Sequence, residues 1–184
     1  DLSAGKEQSV AATKSFVSSV VAGLGILGHW TGDAVLLSSL KQLPDAFTQA
    51  LDADWTPLLD ALGTRDSLYV LGRGPAFAIA QEAALKFKET CGIHAEAYSA
   101  AEVLHGPARI VEAGFPVLAL AARDASEAAV AEIADRLAKQ GATAFATTTR
   151  VAAARQLPFA PTRHPITDRL SLVVSFYGFV EKLS

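Results

Sequence analysis

The sequence predicts an α/β fold, a three-layer sandwich in which a mainly parallel sheet is flanked by helices on both faces. From residue 67 onward, short apolar and β-branched runs alternate with longer segments of helical periodicity, as is typical of strand–helix–strand units. The 184 residues are 51% hydrophobic and 19% charged, which suffices for one sizeable core. We therefore expect one domain over residues 1–184.

The first predicted element is a helix whose apolar run covers residues 15–30. Serines, glycines and a histidine interrupt this run, and it is too short to cross a bilayer. We interpret it as a buried interface helix. Gly23, Gly25 and Gly28 would let another helix approach closely, within the subunit or across a dimer.

The later elements alternate as the fold class requires. Gly141 ends one helix, as expected of a residue at the C′ position. Pro44 interrupts another helix, since proline cannot continue an α-helix interior. The predicted strands cover residues 67–72, 93–98, 115–121 and 143–148, with a short extended piece at 157–159, and the predicted helices cover residues 34–51, 55–62, 75–90, 126–139 and 168–182.

One helix carries a stripe of charged residues. It follows the turn Gly72-Arg73-Gly74, and at 100° per residue Glu82, Lys86 and Glu89 fall within about 60° of one another. An ordinary solvated face with one i, i+4 pair is one interpretation. Because the apolar Ile79 and Leu85 border the stripe, we favour a semi-buried, functional stripe.

A histidine follows within the same segment. Residues 93–98 alternate like a strand, residues 100–104 can form one helical turn, and His105 precedes Gly106-Pro107. A lone histidine is more often structural than catalytic. Here, however, one short segment supplies a carboxylate, an amine and an imidazole, and sugar isomerisation needs such a set to move protons between carbons and on oxygens.

Two blocks of the sequence resemble the sugar isomerase (SIS) domains of amino-sugar-phosphate isomerases, deaminases and synthases. The first contains LGRG, then QEAALKFKE, then IHAEAYSAAEVLHGP, and the second is AGKEQSVAATKSF at residues 4–16. With the elements around them, the likeness covers nearly the whole chain. It implies the flavodoxin-like SIS fold and a small-molecule sugar phosphate as the ligand.

The resemblance also implies catalytic roles. Glu89 matches the base that moves a proton between C1 and C2. His105 matches a histidine that assists ring opening and, in the synthase, reaches into the neighbouring subunit's site, so a homodimer with shared active sites is expected. Lys86 matches a lysine that lines the site on the same helix as the base.

Three further positions are expected to bind the substrate. Glu82 matches a glutamate that lines the site, and Val10 and Ala12 match sugar-contacting positions. The synthase usually has serine where Ala12 stands, and a proline where Lys6 stands. The first departure favours the stand-alone deaminase branch of the family.

Two parts that the resemblance leads us to expect do not occur in the sequence. They are a phosphate-binding loop of the kind S-x-S-G-x-T and a closing tail that bears a lysine, for which Lys182 is not the counterpart. We therefore expect residues 1–184 to be the second SIS repeat of a longer enzyme, with residues 1–30 a helix contributed from the end of the first repeat.

Other ligand chemistries have less support. Thr147-Thr148-Thr149-Arg150 after a strand is either a phosphate site or an ordinary surface turn. The four histidines lack metal-ligand spacing, so no metal is expected. No cofactor is expected either. No G-x-S-x-G elbow of a serine hydrolase occurs.

Composition limits the partners and the compartment. The net charge of −3 gives no reason to expect nucleic acid, and no run suggests a membrane segment. The single cysteine, Cys91, excludes an internal disulfide and suits the reducing cytoplasm.

We therefore expect an enzyme that isomerises a hexosamine 6-phosphate. Conversion of glucosamine 6-phosphate to fructose 6-phosphate with ammonia release is preferred. The isomerase domain of glucosamine-6-phosphate synthase is the nearest alternative, and a non-catalytic module that binds a sugar phosphate is the second. The joint presence of Glu89 and His105 favours an enzyme over the module.

Overall fold

A computed structural model describes residues 2–8, 10–63 and 65–184, and parallel strands form its centre. Within this described part, five strands pair in the order β2-β1-β3-β4-β5, and every pairing is parallel. The predicted α/β class is confirmed. The strands are β1 (Ser67–Gly72), β2 (His94–Ser99), β3 (Pro116–Ala119), β4 (Thr143–Ala146) and β5 (Arg155–Gln156).

Helices connect and cover these strands. Short 3-10 helices at Val103–His105 and Pro107–Ile110 follow β2. None of the described helices is long and apolar enough to span a membrane. The α-helices are α1 (Thr13–Thr31), α2 (Ala34–Lys41), α3 (Leu43–Leu51), α4 (Thr56–Leu62), α5 (Pro75–Cys91), α6 (Glu127–Lys139) and α7 (Pro165–Leu183).

Several predicted bounds were wrong. The helix expected over residues 34–51 divides at Gln42, because Pro44 suits only the first turn of a new helix. An extended piece was expected at residues 157–159, but the residues that pair with β4 are Arg155 and Gln156, which form β5. The last hydrogen bond of this pairing is donated by Leu157 N–H to Ala146 O. The next residue, Pro158, has no N–H to donate.

The two faces of the sheet bury different sets of side chains. Leu68 and Val70 point to the side of α5 and α7, where Phe87 and Phe176 complete the larger core. The alternate residues of β1 point to the opposite side, as the two-residue period of a strand requires. That second core contains Tyr69, Leu71, Val103, Val130, Ala134 and Leu137, so α6 and the first 3-10 helix lie on the face away from α5.

The N-terminal helix differs from its prediction. It begins at Thr13, and the described residues before it are not helical. Gly28 is buried against α2, where an added Cβ would lie 2.8 Å from Leu37 Cδ2, so this glycine does permit close approach within the chain. Ile26 and Trp30, at 70% and 85% exposure, show that much of α1 is uncovered here.

Candidate functional site

The charged stripe of α5 is internally paired, and two of its three members are buried. Glu82 is 8% exposed and Lys86 is 3% exposed, whereas the Glu89 side chain retains 22% of its surface. Lys86 Nζ lies 3.3 Å from Glu82 Oε1 and 2.7 Å from Glu89 Oε2. This burial excludes the solvated-face interpretation. An ammonium can be buried at this depth because two carboxylates compensate its charge.

The local sequence explains why the stripe faces away from the sheet. Pro75 occupies the first turn of α5, and Gly72 lets the chain turn tightly before it, since an added Cβ would meet Ala76 O at 2.5 Å. Ala83 and Phe87 pack on the sheet as fully buried side chains. The charged residues, on another side of the helix, therefore face α1 and α7 rather than the core.

A cavity of about 550 Å³ lies between α5 and α1. The structure brings five of the six sequence-predicted site residues together around it: Val10, Ala12, Glu82, Lys86 and Glu89. Val10 is 87% exposed, so it stands at the cavity's open side. The remaining lining residues are Ser15, Phe16, Ser19, Val20 and Leu85. Its apolar wall includes Phe16 and Val20 of α1, and its charged wall consists of Glu82, Lys86 and Glu89 of α5. Pockets for polar ligands commonly combine apolar and charged walls.

A tyrosine that the sequence analysis missed completes the charged wall. The Tyr177 hydroxyl on α7 donates a 2.6 Å hydrogen bond to Glu82 Oε1. Burial first, then the hydrogen bond to Glu82 and the nearby carboxylates, raise the pKa of Tyr177, so its hydroxyl stays protonated. The two residues are 95 positions apart, and no local spacing connects them.

A second cavity, of about 360 Å³, adjoins the first through Lys86. Its polar lining includes Thr90 and Glu181, besides Lys86 and Tyr177. Thr90 is held in place because its hydroxyl donates to Lys86 O at 2.8 Å. Lys86 therefore stands between two spaces large enough for small polar molecules.

His105 lies apart from these cavities. It ends the 3-10 helix Val103–His105, and Val103 packs on the sheet face opposite α5. The Tyr69 hydroxyl donates to Pro107 O at 2.9 Å, which fixes this segment to the same face. His105 is exposed and lines neither cavity. Within one chain, the sheet therefore separates the 3-10 helix that ends at His105 from α5, which carries Glu89.

The alternative phosphate site after β4 is occupied by protein groups. The Thr147 hydroxyl bonds the backbone of Ala121 as donor and as acceptor. The Thr148 hydroxyl donates to Glu127 Oε1 at 2.7 Å, and Arg150 Nε lies 3.2 Å from Glu127 Oε2. A carboxylate at the centre of this group disfavours an anion, which supports the surface-turn interpretation.

Another polar cluster, also missed from sequence, fixes the start of α7. Asp168 is fully buried and accepts hydrogen bonds from Arg123 and Thr162, and Arg169 pairs with Asp124. These contacts hold the loop after β3 against α7. Across residues 2–8, 10–63 and 65–184, no group of three or more His, Cys, Asp or Glu residues could hold a metal ion.

Comparison with known proteins gives matches over most of the chain. Residues 62–154 match the family model of the SIS domain. A solved structure from Silicibacter pomeroyi, described as a candidate phosphosugar isomerase, is 56% identical with a TM-score of 0.96 and aligns with 100% of this chain and 56% of its own.

Two further matches are to aminotransferases. The glutamine–fructose-6-phosphate aminotransferase (isomerizing) of Symbiobacterium thermophilum is 38% identical over 149 residues, 74% of this chain and 24% of that protein. The C-terminal domain of glucosamine-fructose-6-phosphate aminotransferase from Francisella tularensis shares the fold at 24% identity and a TM-score of 0.81, over 98% of this chain and 56% of its own. The chain thus spans about a quarter of the curated relative and about half of each solved chain.

Proposed function

Because this chain belongs to the SIS domain family, we propose that it supplies the proton-transfer wall of a phosphosugar isomerase. The observation that carries the proposal is the paired Glu82–Lys86–Glu89 group, with Glu82 and Lys86 buried and Glu89 partly exposed, which lines one cavity together with Val10 and Ala12. Paired titratable groups in a cavity are common at sites of acid–base catalysis. The substrate class is a hexose 6-phosphate or its amino derivative.

The geometry favours Glu89 over Glu82 as the base. Isomerisation of an aldose to a ketose moves a proton between two adjacent carbons. The Glu82 carboxylate is 8% exposed and already accepts from Tyr177, whereas the Glu89 side chain keeps exposed surface at the cavity. Lys86, hydrogen-bonded to Glu89, supplies a positive charge that would stabilise an enediolate oxygen.

The curated relative favours an aminotransferase-type reaction over the ammonia-releasing deaminase reaction. The sequence favoured an ammonia-releasing deaminase, partly because Ala12 stands where the synthase usually has serine. A relative that is 38% identical over most of the chain is instead named as an isomerizing aminotransferase. We therefore propose the isomerase part of an aminotransferase-type enzyme, in which amino transfer accompanies isomerisation, with the deaminase as the alternative.

We also propose that two copies share their active sites. The 3-10 helix that ends at His105 packs on the sheet face opposite α5, which carries Glu89, so His105 would serve a site built on another subunit. The phosphate would be held by a loop outside residues 1–184, in a preceding SIS repeat. The sequence has no S-x-S-G-x-T run, and the groups at Thr147–Arg150 are engaged by Glu127.

The test of the proposed function is Glu89→Gln in the longer enzyme that this proposal implies. We expect turnover of fructose 6-phosphate or glucosamine 6-phosphate to fall by about 100-fold or more, as is usual for loss of a general base, with little change in substrate binding. Lys88→Gln is the matched control, since Lys88 is exposed on the same helix. Turnover within a few-fold of wild type would remove Glu89 from the mechanism.

A further inference from the structure

Tyr177 connects α7 to the charged wall of the candidate site. Its neighbours on α7 are anchored in the core, where the rings of Phe176 and Phe179 lie 5.2 and 6.1 Å from the Phe87 ring centre. Phe87 is on α5 and is fully buried. The two helices are therefore packed rigidly together, and the position from which the Tyr177 hydroxyl reaches Glu82 is fixed by that packing.

A single carboxylate oxygen receives two donors. Glu82 Oε1 accepts the Tyr177 hydroxyl at 2.6 Å and lies 3.3 Å from Lys86 Nζ. The same Lys86 Nζ is only 2.7 Å from Glu89 Oε2. The shorter contact to Glu82 is thus made by the tyrosine, and the Lys86 ammonium lies closer to Glu89 than to Glu82.

We propose that Tyr177 is a positioning residue of the proposed isomerase site, whose hydroxyl occupies Glu82 so that the Lys86 ammonium stays hydrogen-bonded to Glu89. Without the hydroxyl, Glu82 Oε1 loses its shorter contact, and Lys86 Nζ, already 3.3 Å from that oxygen, is the donor left beside it. The ammonium then shifts along α5 towards Glu82. Glu89 loses its fixed orientation, and the developing negative charge on the substrate loses a nearby cation.

Tyr177→Phe tests this by kinetics in the longer protein, since it removes one hydroxyl and keeps the ring. This readout rests on the proposed function. We expect kcat to fall by about 10-fold with KM changed less than about twofold, since the lost interaction acts in the transition state. Tyr98→Phe is the matched control, because it removes a hydroxyl from a ring packed on the opposite sheet face, and should leave both constants unchanged.

A double-mutant cycle distinguishes positioning from packing. If Tyr177 acts through Glu82, Tyr177→Phe should have little further effect on kcat in a Glu82→Gln background, because the two changes interrupt the same contact. Additive effects of the two changes would overturn the proposal. So would a Tyr177→Phe enzyme with wild-type kcat.

A crystal structure of the Tyr177→Phe variant provides a test that does not depend on activity. We expect Lys86 Nζ to move towards Glu82 and its separation from Glu89 Oε2 to exceed about 3.5 Å, beyond a hydrogen bond. An unchanged Lys86–Glu89 contact would refute the positioning role. If the wild-type protein turned over no sugar phosphate, the proposed function would fail, and this structural result would still decide the role of Tyr177.

Discussion

Lys86 is a buried cation whose two carboxylate partners lie on its own helix. Its contribution to stability depends on the pair remaining complete, because a charge buried at 3% exposure has lost most of its hydration. A substitution of Lys86 should therefore change both the candidate site and the stability of the fold. A change that removes the ammonium leaves Glu82, itself 8% exposed, without its neutralising charge.

We predict that Lys86→Met lowers the free energy of unfolding by about 3 kcal/mol, the scale for breaking one side of a buried pair. The double variant Lys86→Met with Glu82→Gln should recover part of this loss, because the uncompensated carboxylate is gone. Urea unfolding of the two variants measures both effects. A double variant less stable than Lys86→Met alone would contradict the pairing argument.

The Asp135 carboxylate should make the stability of the fold depend on pH. Its carboxylate accepts backbone N–H groups of Ala152, Ala153 and Ala154, which ties α6 to the loop after β4. Burial alone would raise the pKa of Asp135, but these three hydrogen bonds and the charge of Lys139 outweigh it and lower that pKa.

A lowered folded-state pKa means that the carboxylate stabilises the fold above its unfolded-state pKa, near 4, and that this contribution disappears as the pH falls through the folded-state pKa. We therefore expect Asp135→Asn to be less stable than wild type at neutral pH and to approach wild-type stability in acid. Thermal unfolding of both proteins across this pH range measures the difference. A gap that stayed constant with pH would show that the charge is not involved.

Among the secondary-structure elements, β1, the turn and α5 were the most predictable from sequence. The bounds of β1 were right and those of α5 were within one residue, because Gly72-Arg73-Gly74 and Pro75 give strong local signals. Side-chain periodicity on α5 also placed Glu82, Lys86 and Glu89 together. The residues from other elements that meet this group were harder to predict. Val10 and Ala12 were identified only through the family resemblance. Tyr177 was missed, because it meets Glu82 by packing between elements distant in sequence.

The turn before α5 depends on the absence of a side chain at Gly72. We expect Gly72→Ala to lower the melting temperature markedly, because its Cβ would lie 2.5 Å from Ala76 O, a backbone atom that cannot rotate away. Gly25→Ala is the matched control: nothing lies within 4 Å of the Cβ that alanine would add there, and alanine is favoured over glycine in a helix by about 1 kcal/mol. Equal melting temperatures for wild type and Gly72→Ala would refute the close-contact argument.

In the molecule as a whole, the parallel sheet separates α5 from the first 3-10 helix. The connection from β1 through α5 to β2 places α5 on one face, as one crossover between parallel strands must. The chain then passes to the other face, where Val103 and Tyr69 pack together. Glu89 and His105 are therefore carried by elements on opposite faces of the sheet, and the proposed shared site would need a second subunit to bring both to one substrate.

We predict that inactive subunits of the proposed longer enzyme complement one another. If sites are shared, a mixture of Glu89→Gln and His105→Ala subunits forms hybrid dimers in which one site has both residues intact. With free exchange in an equal mixture, half of the dimers are hybrids, so activity should return to about a quarter of wild type. A mixture of Glu89→Gln with Lys86→Met is the control: both residues line the same cavity of one chain, so no intact site forms. Confirmed subunit exchange without recovered activity would show that His105 does not act across the interface.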